Sequence, residues 1–409
     1  MGSDRESRVK GRLALSNSKL NTILEITDAI NDNSSSEELY GILQSVLTSQ
    51  LQIGRFVLYV YENEWKPALS QKVDKRKLKG LPIESIVEAY PEISTLSSSE
   101  VKGSEQFDIV VPVYHKEKPL ACLLLADIED ERIEISPIIK HLKFIQTMAN
   151  IIVVALENKR LTKEYIKQIE VKKELELAQN MQSLLFPREL PKDKDLEVEA
   201  YYEPHSEVGG DYYDVIELDE HRTAICIADV SGKGMSAALL MANFQANLRA
   251  LINVTDDLEA LIEMSNQKVI DSVHYEKFIT LFIAIYDRKK KELSYLNAGH
   301  QPAILKNGNK FQLLNKGCTV LGMFDELPKV ESGTIKINAK SLLLGFTDGI
   351  SELEDEKGEQ LEVEGLQAIV EKAKDLKSLK SSLIKRVDQL KAGSGINDDI
   401  TFVALSFLP

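Results

Sequence analysis

A chain of 409 residues is longer than one ordinary domain, so two domains and a connector are expected. The formal net charge of −14 excludes the concentrated basic surface of a nucleic-acid binder, and the 43% hydrophobic content is that of a globular protein. No stretch approaches an uninterrupted bilayer-spanning length, and Cys122, Cys226 and Cys318, scattered and odd in number, argue against a disulfide framework or zinc site and for a reduced cytoplasm.

In chain order, residues 21–30 carry helical apolar spacing, and Ser34-Ser35-Ser36-Glu37 predicts a cap for a helix running to about Leu47. Strands are expected at 55–62, 108–114 and 120–127, with a hairpin across Lys116-Glu117-Lys118-Pro119. A helix then starts with Ser136 as cap and Pro137 at its first position. Helix, strands, the hairpin VVPVYHKEKPLACLLL and an exit helix resemble a GAF-type sensory domain, placed at 18–156 with an α/β fold.

Between Pro137 and Pro187 there is neither Gly nor Pro, which predicts one continuous helix. Roughly 50 helical residues would span about 75 Å. Leu161, Tyr165, Ile169, Leu175, Ala178, Met181 and Leu185 form an apolar stripe of imperfect heptad spacing, interrupted at Lys172 and Lys173. Two expectations stay open for 157–190: a solvated helix lying on one domain, or a parallel coiled coil that pairs two chains and passes a signal.

From 191 to 409 strands and helices alternate. Strands are predicted at 196–202, 223–230, 278–287, 292–298, 303–305, 311–314, 334–337, 341–346 and 400–407; helices at 235–252, 258–273, 363–373 and 376–390. Tyr286-Asp287-Arg288-Lys289 and Lys306-Asn307-Gly308-Asn309 read as hairpin links, which implies mostly antiparallel sheets covered by helices, an α+β sandwich.

The chemistry lies in the aspartates at the strand ends. Gly209-Gly210-Asp211-Tyr212-Tyr213-Asp214 follows the first strand, and Ala228-Asp229-Val230-Ser231-Gly232-Lys233-Gly234 closes an apolar strand and opens a helix. Phe346-Thr347-Asp348-Gly349 ends another strand, and Asn397-Asp398-Asp399-Ile400-Thr401 begins the last. One Asp-Gly at a strand end is a turn; four such sites in one domain ask for a common cause. Clustered carboxylates repel unless a cation neutralises them, and an oxygen-only set favours Mg²⁺ or Mn²⁺ over zinc. A pair of such ions can activate a water and clamp the oxygens of a phosphoryl group.

The blocks EVGGDYYD, IADVSGKGMSAALLMA, FITLFIAIYD, LNAGHQPAIL, GFTDGISE and NDDITFVAL, with the entry segment LAQNMQSLLFPRELP, resemble the PPM-type protein phosphatases, in particular their bacterial SpoIIE/RsbU-like branch. The resemblance covers 176–407 and implies an α-β-β-α sandwich with two Mn²⁺ or Mg²⁺ ions per site. It makes Asp229 the bridging ligand, with the Val230 carbonyl on one ion, Asp348 and Asp398 around that ion and Asp211 near the second. Which of Asp398 and Asp399 ligates stays open, and Asp214 reads as structural. The phosphate-binding Arg of eukaryotic relatives has no evident counterpart. The implied function is a signal-regulated phosphoserine/phosphothreonine protein phosphatase, a cytoplasmic homodimer without membrane insertion. Its implied substrate is a STAS-type anti-sigma-factor antagonist of a partner-switching pathway. The alternative is a catalytically inactive sensory dimer that binds a partner.

Other nucleophiles fit less well. His300 in Asn297-Ala298-Gly299-His300 is expected to belong to a structural turn. Ser231 and Ser236 lie outside any Gly-x-Ser-x-Gly elbow. A cysteine phosphatase needs Arg six residues beyond its Cys, where this chain has Ile128, Gly232 and Phe324. Gly232-Lys233-Gly234 lacks the upstream Gly of a P-loop.

Overall fold

The computed structural model describes residues 2–74, 78, 80–96, 106–126, 137–354, 358–394 and 397–408. They divide into two compact units, Met1–Ile169 and Glu170–Pro409.

The first unit opens with helices α1 (Gly2–Asn31) and α2 (Ser36–Ser45). Ser35 caps α2 in a capping box: its hydroxyl accepts from the Glu38 amide at 3.2 Å, and the Glu38 carboxylate accepts from the Ser35 amide at 2.7 Å. Strands β1 (Arg55–Tyr61) and β2 (Trp65–Gln71), helix α3 (Ile83–Ala89), and strands β3 (Ser94–Thr95), β4 (Ile109–His115) and β5 (Lys118–Ala126) follow. They build an antiparallel sheet of order β2-β1-β5-β4-β3. Along β1, Phe56 and Leu58 belong to the core shared with α1 and α2, while Val57 and Tyr59 pack with α3. Both faces are covered, which is why RFVLYVY shows no polar alternation. The sequence pattern carries no signal for β2, an edge strand with Pro67 in it and no fully buried residue. Its first residue, Trp65, meets Tyr61 edge-on at 5.4 Å. The hairpin turn is tighter than expected: Lys116 takes φ 57° and His115 pairs with Lys118, so Pro119 already lies in the strand. The expected cap Ser136 and strand end Asp127 lie outside the described residues.

Helix α4 (Pro137–Ser183) is continuous for 47 residues, as the absence of Gly and Pro predicted. Its stretch Ile139–Ser183 meets the length-and-apolarity criterion for a membrane span, contrary to the expectation that no segment comes near one. Phe144, Ile145, Met148, Ala149, Ile152 and Val153 on it are buried in the core of the first unit, and 33% of the most apolar window is buried in all. The Lys159 ammonium donates to the carbonyls of Asn33 (3.1 Å) and Ser34 (2.9 Å), satisfying acceptors at the end of α1.

The second unit is a four-layer sandwich. One sheet contains β7 (Tyr212–Glu217), β8 (Arg222–Val230), β9 (Ile279–Asp287), β10 (Glu292–Ala298) and β13 (Gly317–Cys318), with β14 (Gly333–Lys336) also on β10. The other runs β12 (Lys310–Leu314), β11 (Ala303–Asn307), β15 (Ser341–Phe346), β16 (Ile400–Phe407), β6 (Leu196–Glu203). Ile225, Ile227, Phe282 and Tyr286 of the first sheet meet Leu343, Val403, Leu405 and Phe407 of the second in a central core. Helices α5 (Met235–Leu251) and α6 (Leu258–Val273) cover the outer face of the first sheet. The short helix α7 (Asp348–Ser351) follows β15, and α8 (Glu362–Lys372) and α9 (Leu376–Ser394) cover the second sheet. In β8, Ala224, Cys226, Ala228 and Val230 face the helices while Ile225 and Ile227 face the opposite sheet, so the strand reads as one apolar run.

The apolar pattern does not mark strand β7, because Asp214 sits in its middle. That carboxylate is fully buried and is held by Arg249 through Nε at 2.6 Å and a terminal nitrogen at 2.8 Å, with the Tyr212 hydroxyl as a further donor. Arg249→Met should strand this carboxylate in the core and lower stability by about 2–4 kcal/mol in urea unfolding. Asp214→Asn in the same chain should recover most of the loss.

Candidate active site

Strand pairing brings the aspartates to one end of the sandwich. Tyr212 pairs with Ala228, so Asp211 and Asp229 flank neighbouring positions of one sheet. Phe346 pairs with Phe402, and the Thr347 amide donates to the Thr401 carbonyl at 3.0 Å, so Asp348 and the Asp398-Asp399 pair flank neighbouring strands of the other. Each sheet thus delivers carboxylates to the same edge.

Their electrostatics show the crowding. Asp229 is pushed up to about 7, by burial first and then by Asp348, Asp398 and Asp399, partly offset by a hydrogen bond with Asp211. Asp211 is raised well above the carboxylate range by burial and by Asp229, and Asp348 is raised by burial and by Asp398. Carboxylates forced together in this way hold protons until a cation replaces them. The donor set is all oxygen, the chemistry that suits Mg²⁺ or Mn²⁺. Among the described residues no three acidic, His or Cys side chains close on a common point as a finished ligand cage.

Two threonines and one lysine that sequence reasoning missed organise the cluster. Asp211 is 1% exposed, and its Oδ2 accepts from the hydroxyls of Thr347 (2.8 Å) and Thr401. These hydroxyls are themselves fully buried, and a polar side chain at the buried end of an apolar strand is the signal that could have found them. Lys233 pairs with Asp398 at 2.9 Å and donates to the Asn397 carbonyl. It lines, with Gly349, Glu352, Asn397 and Asp398, a cleft of 170 Å³ beside the cluster.

The two adjacent aspartates differ sharply. Asp398 is half-buried and faces Lys233. Asp399 is buried and is committed to backbone: one oxygen accepts from the His205 amide at 2.7 Å, the other from the Gly210 amide at 2.6 Å, with the Asp211 amide at 3.5 Å. Gly210 lies against the Val230 carbonyl, where a Cβ would come within 3.0 Å. Asp399 therefore ties the 205–211 loop to the start of β16.

The remaining candidates are structural. The Ser231 hydroxyl accepts from the Phe278 amide at 2.9 Å and its carbonyl accepts from Lys277 at 2.8 Å. His300 is buried and pushed down to about 4, hence neutral at pH 7, with Nδ1 on the Thr280 hydroxyl at 2.7 Å. Asn297 brackets its backbone from both sides, making the turn foreseen for this block. Burial raises the thiols of Cys122 (to about 12), Cys226 and Cys318 (to about 11), which leaves none of the three as a thiolate nucleophile.

Residues 219–408 match the family model of stage II sporulation protein E, SpoIIE. The chain is 30% identical over 246 residues to phosphoserine phosphatase RsbU of Bacillus subtilis (strain 168), covering 58% of this chain and 71% of that protein. It is 31% identical over 191 residues to phosphoserine phosphatase RsbP of the same organism, covering 45% of this chain and 46% of that protein. The SiaA-PP2C domain of Pseudomonas aeruginosa shares the fold, with TM-score 0.54 at 18% identity over 59% of this chain and 98% of that domain. The family match and the phosphoserine phosphatase relative, matched over 71% of its length, bear out the resemblance read from the sequence blocks. The chain belongs to the SpoIIE-type, RsbU-like branch of the PPM protein serine/threonine phosphatases.

Proposed function

We propose that the chain is a signal-regulated phosphoserine/phosphothreonine phosphatase whose working centre is a pair of Mn²⁺ or Mg²⁺ ions. The observation that carries this reading is Asp229, driven up to about 7 among Asp211, Asp348 and Asp398 at the edge where both sheets end. Asp229 would hold both ions, the Val230 carbonyl, Asp348 and Asp398 would complete one site, and Asp211 would serve the second. When bound, such ions lower the pKa of water and neutralise phosphoryl oxygens. Thr347 and Thr401 fix the orientation of Asp211, and Asp399, its oxygens occupied by backbone amides, positions the loop without ligating. This geometry supports Asp398, rather than Asp399, as the ligand.

The substrate is proposed to be a phosphorylated STAS-type anti-sigma-factor antagonist in the cytoplasm, in keeping with the phosphoserine phosphatase relatives. Residues 18–156 act as a GAF-like sensory domain, 157–190 as a dimerising coiled-coil linker and 191–409 as the catalytic domain. Exposed apolar side chains on α4, among them Leu161, Tyr165 and Met181, support pairing with a second copy. Hydrolysis of p-nitrophenyl phosphate and of such a phosphoprotein, dependent on added Mn²⁺, tests the reading; a chain that binds Mn²⁺ yet releases no phosphate from either would instead be the inactive partner-binding dimer.

The raised carboxylates add a pH signature. The folded metal-free protein keeps protons that the unfolded chain gives up near 3.8, so its stability should fall as pH rises from about 4 through about 7. Mn²⁺ binding at pH 6 should release about one proton or more, seen in calorimetry as a heat that depends on buffer ionisation enthalpy. At pH 8.5 the release by Asp229 should vanish.

A further inference from the structure

The loop that carries Asp211 is held from two sides. On one side is Asp399. On the other is Gln182, the penultimate residue of the long helix α4, which is 7% exposed. Its Nε2 donates to the Gly209 carbonyl at 2.7 Å and its Oε1 accepts from the Gly209 amide at 3.2 Å. One side-chain amide thus satisfies both backbone groups of a single buried residue, as a neighbouring strand would. Gly209 has no room for a side chain: a Cβ there would lie 2.4 Å from the Asp399 Oδ2 and 2.5 Å from the Tyr202 hydroxyl. The next amide, Gly210, is the one Asp399 holds, and Asp211 follows. On either side of Gln182, Met181 on the helix and Leu184 just beyond it are exposed. The chain docks again at Phe186, whose ring lies 4.6 Å from that of Tyr202.

We propose that Gln182 is a positioning residue that ties the end of the linker helix to Asp211 through the Gly209–Gly210 backbone. Displacement of the helix end then loosens the loop and weakens cation binding. This deepens the proposed function and rests on Asp211 serving the cation site. A buried amide pair is directional: withdrawing the glutamine leaves a buried N–H and C=O of Gly209 without partners, so the loop must move to find others. Small shifts of the helix end are in this way converted into a change at the ligand, with no contact between helix and cation. Coupling is reciprocal, so bound cation must also hold the helix end.

The test uses the full chain and Mn²⁺ alone as probe. Gln182→Met removes both hydrogen bonds at similar volume, and Gln182→Asn, which is too short to reach both groups, serves if the first variant does not fold. Gln245→Met is the control: Gln245 bonds the Leu185 carbonyl at 3.3 Å and so holds the same chain segment without touching the loop. The expected result in Gln182→Met is a loss in Mn²⁺ affinity by calorimetry of about 10- to 100-fold, the range for residues supporting a metal ligand. At saturating Mn²⁺, KM for p-nitrophenyl phosphate should stay at the wild-type value. Mn²⁺ should slow amide exchange at the end of α4 in the wild type and not in the variant. Unchanged Mn²⁺ affinity in a folded Gln182 variant overturns the proposal, as does an equal loss in Gln245→Met. Failure of the wild type itself to bind Mn²⁺ would instead overturn the two-ion reading.

Discussion

Replacing Asp229 by Asn is expected to reduce phosphate release roughly 10³-fold or more while leaving the metal-free protein at least as stable as the wild type. The two effects run in opposite directions for one reason. At pH 8, above the value of about 7 to which its neighbours and burial push it, Asp229 is ionised beside Asp211, Asp348 and Asp398. Removing that charge relieves repulsion in the metal-free state and removes the ligand proposed to be shared by both ions. Differential scanning calorimetry with and without Mn²⁺ separates the terms. With Mn²⁺ about 100-fold above its Kd, the wild type should gain about 2.7 kcal/mol, or about 5–10 °C in Tm. Asp229→Asn should show little of that gain and an equal or higher Tm without metal. Asp348→Asn should behave alike, and full activity in both variants would sink the metal assignment.

A second large effect is expected at Gly349, next to Asp348. A Cβ at this position would lie 2.0 Å from the Asp399 carbonyl oxygen and 3.3 Å from the Asp398 carbonyl carbon. These are backbone atoms, which cannot turn aside as a flexible side chain can. Gly349→Ala must push the 398–399 segment away from the end of β15. Overpacking against backbone should cost roughly 3 kcal/mol or more in urea unfolding. A displacement of about 1 Å between Asp348 and Asp398 should lower kcat roughly 100-fold. A variant with wild-type stability and activity would show that the two strand ends are not packed as described.

The double sheet and its covering helices were legible because strands such as β8, β9, β15 and β16 are short apolar runs, and the aspartates stand out at the ends of such runs. The resemblance to the phosphatase blocks followed from the same strand ends. What escaped was held by side chains that break the pattern. Strand β7 hides behind Asp214, whose charge is tolerable in the core only because Arg249 arrives from a helix thirty-five positions away. Edge strand β2 hides behind Pro67. The different duties of Asp398 and Asp399 could not be read from adjacency. They follow from which carboxylate meets the amides of His205 and Gly210 nearly two hundred residues earlier in the chain. Gln182 was invisible for the same reason: in sequence it is one more polar residue on a helix, and burial against Gly209 gives it its weight.

The chain has a single tryptophan, Trp65, and it lies in the first unit beside Tyr61. Emission excited selectively at tryptophan is therefore a built-in, label-free report on the N-terminal unit alone, and the catalytic unit is dark in that channel. A small molecule that alters this emission changes the surroundings of Trp65 in the first unit, whatever it does to phosphate release. A melt that shows one transition by this light and two by calorimetry would resolve the stabilities of the two units in the intact chain.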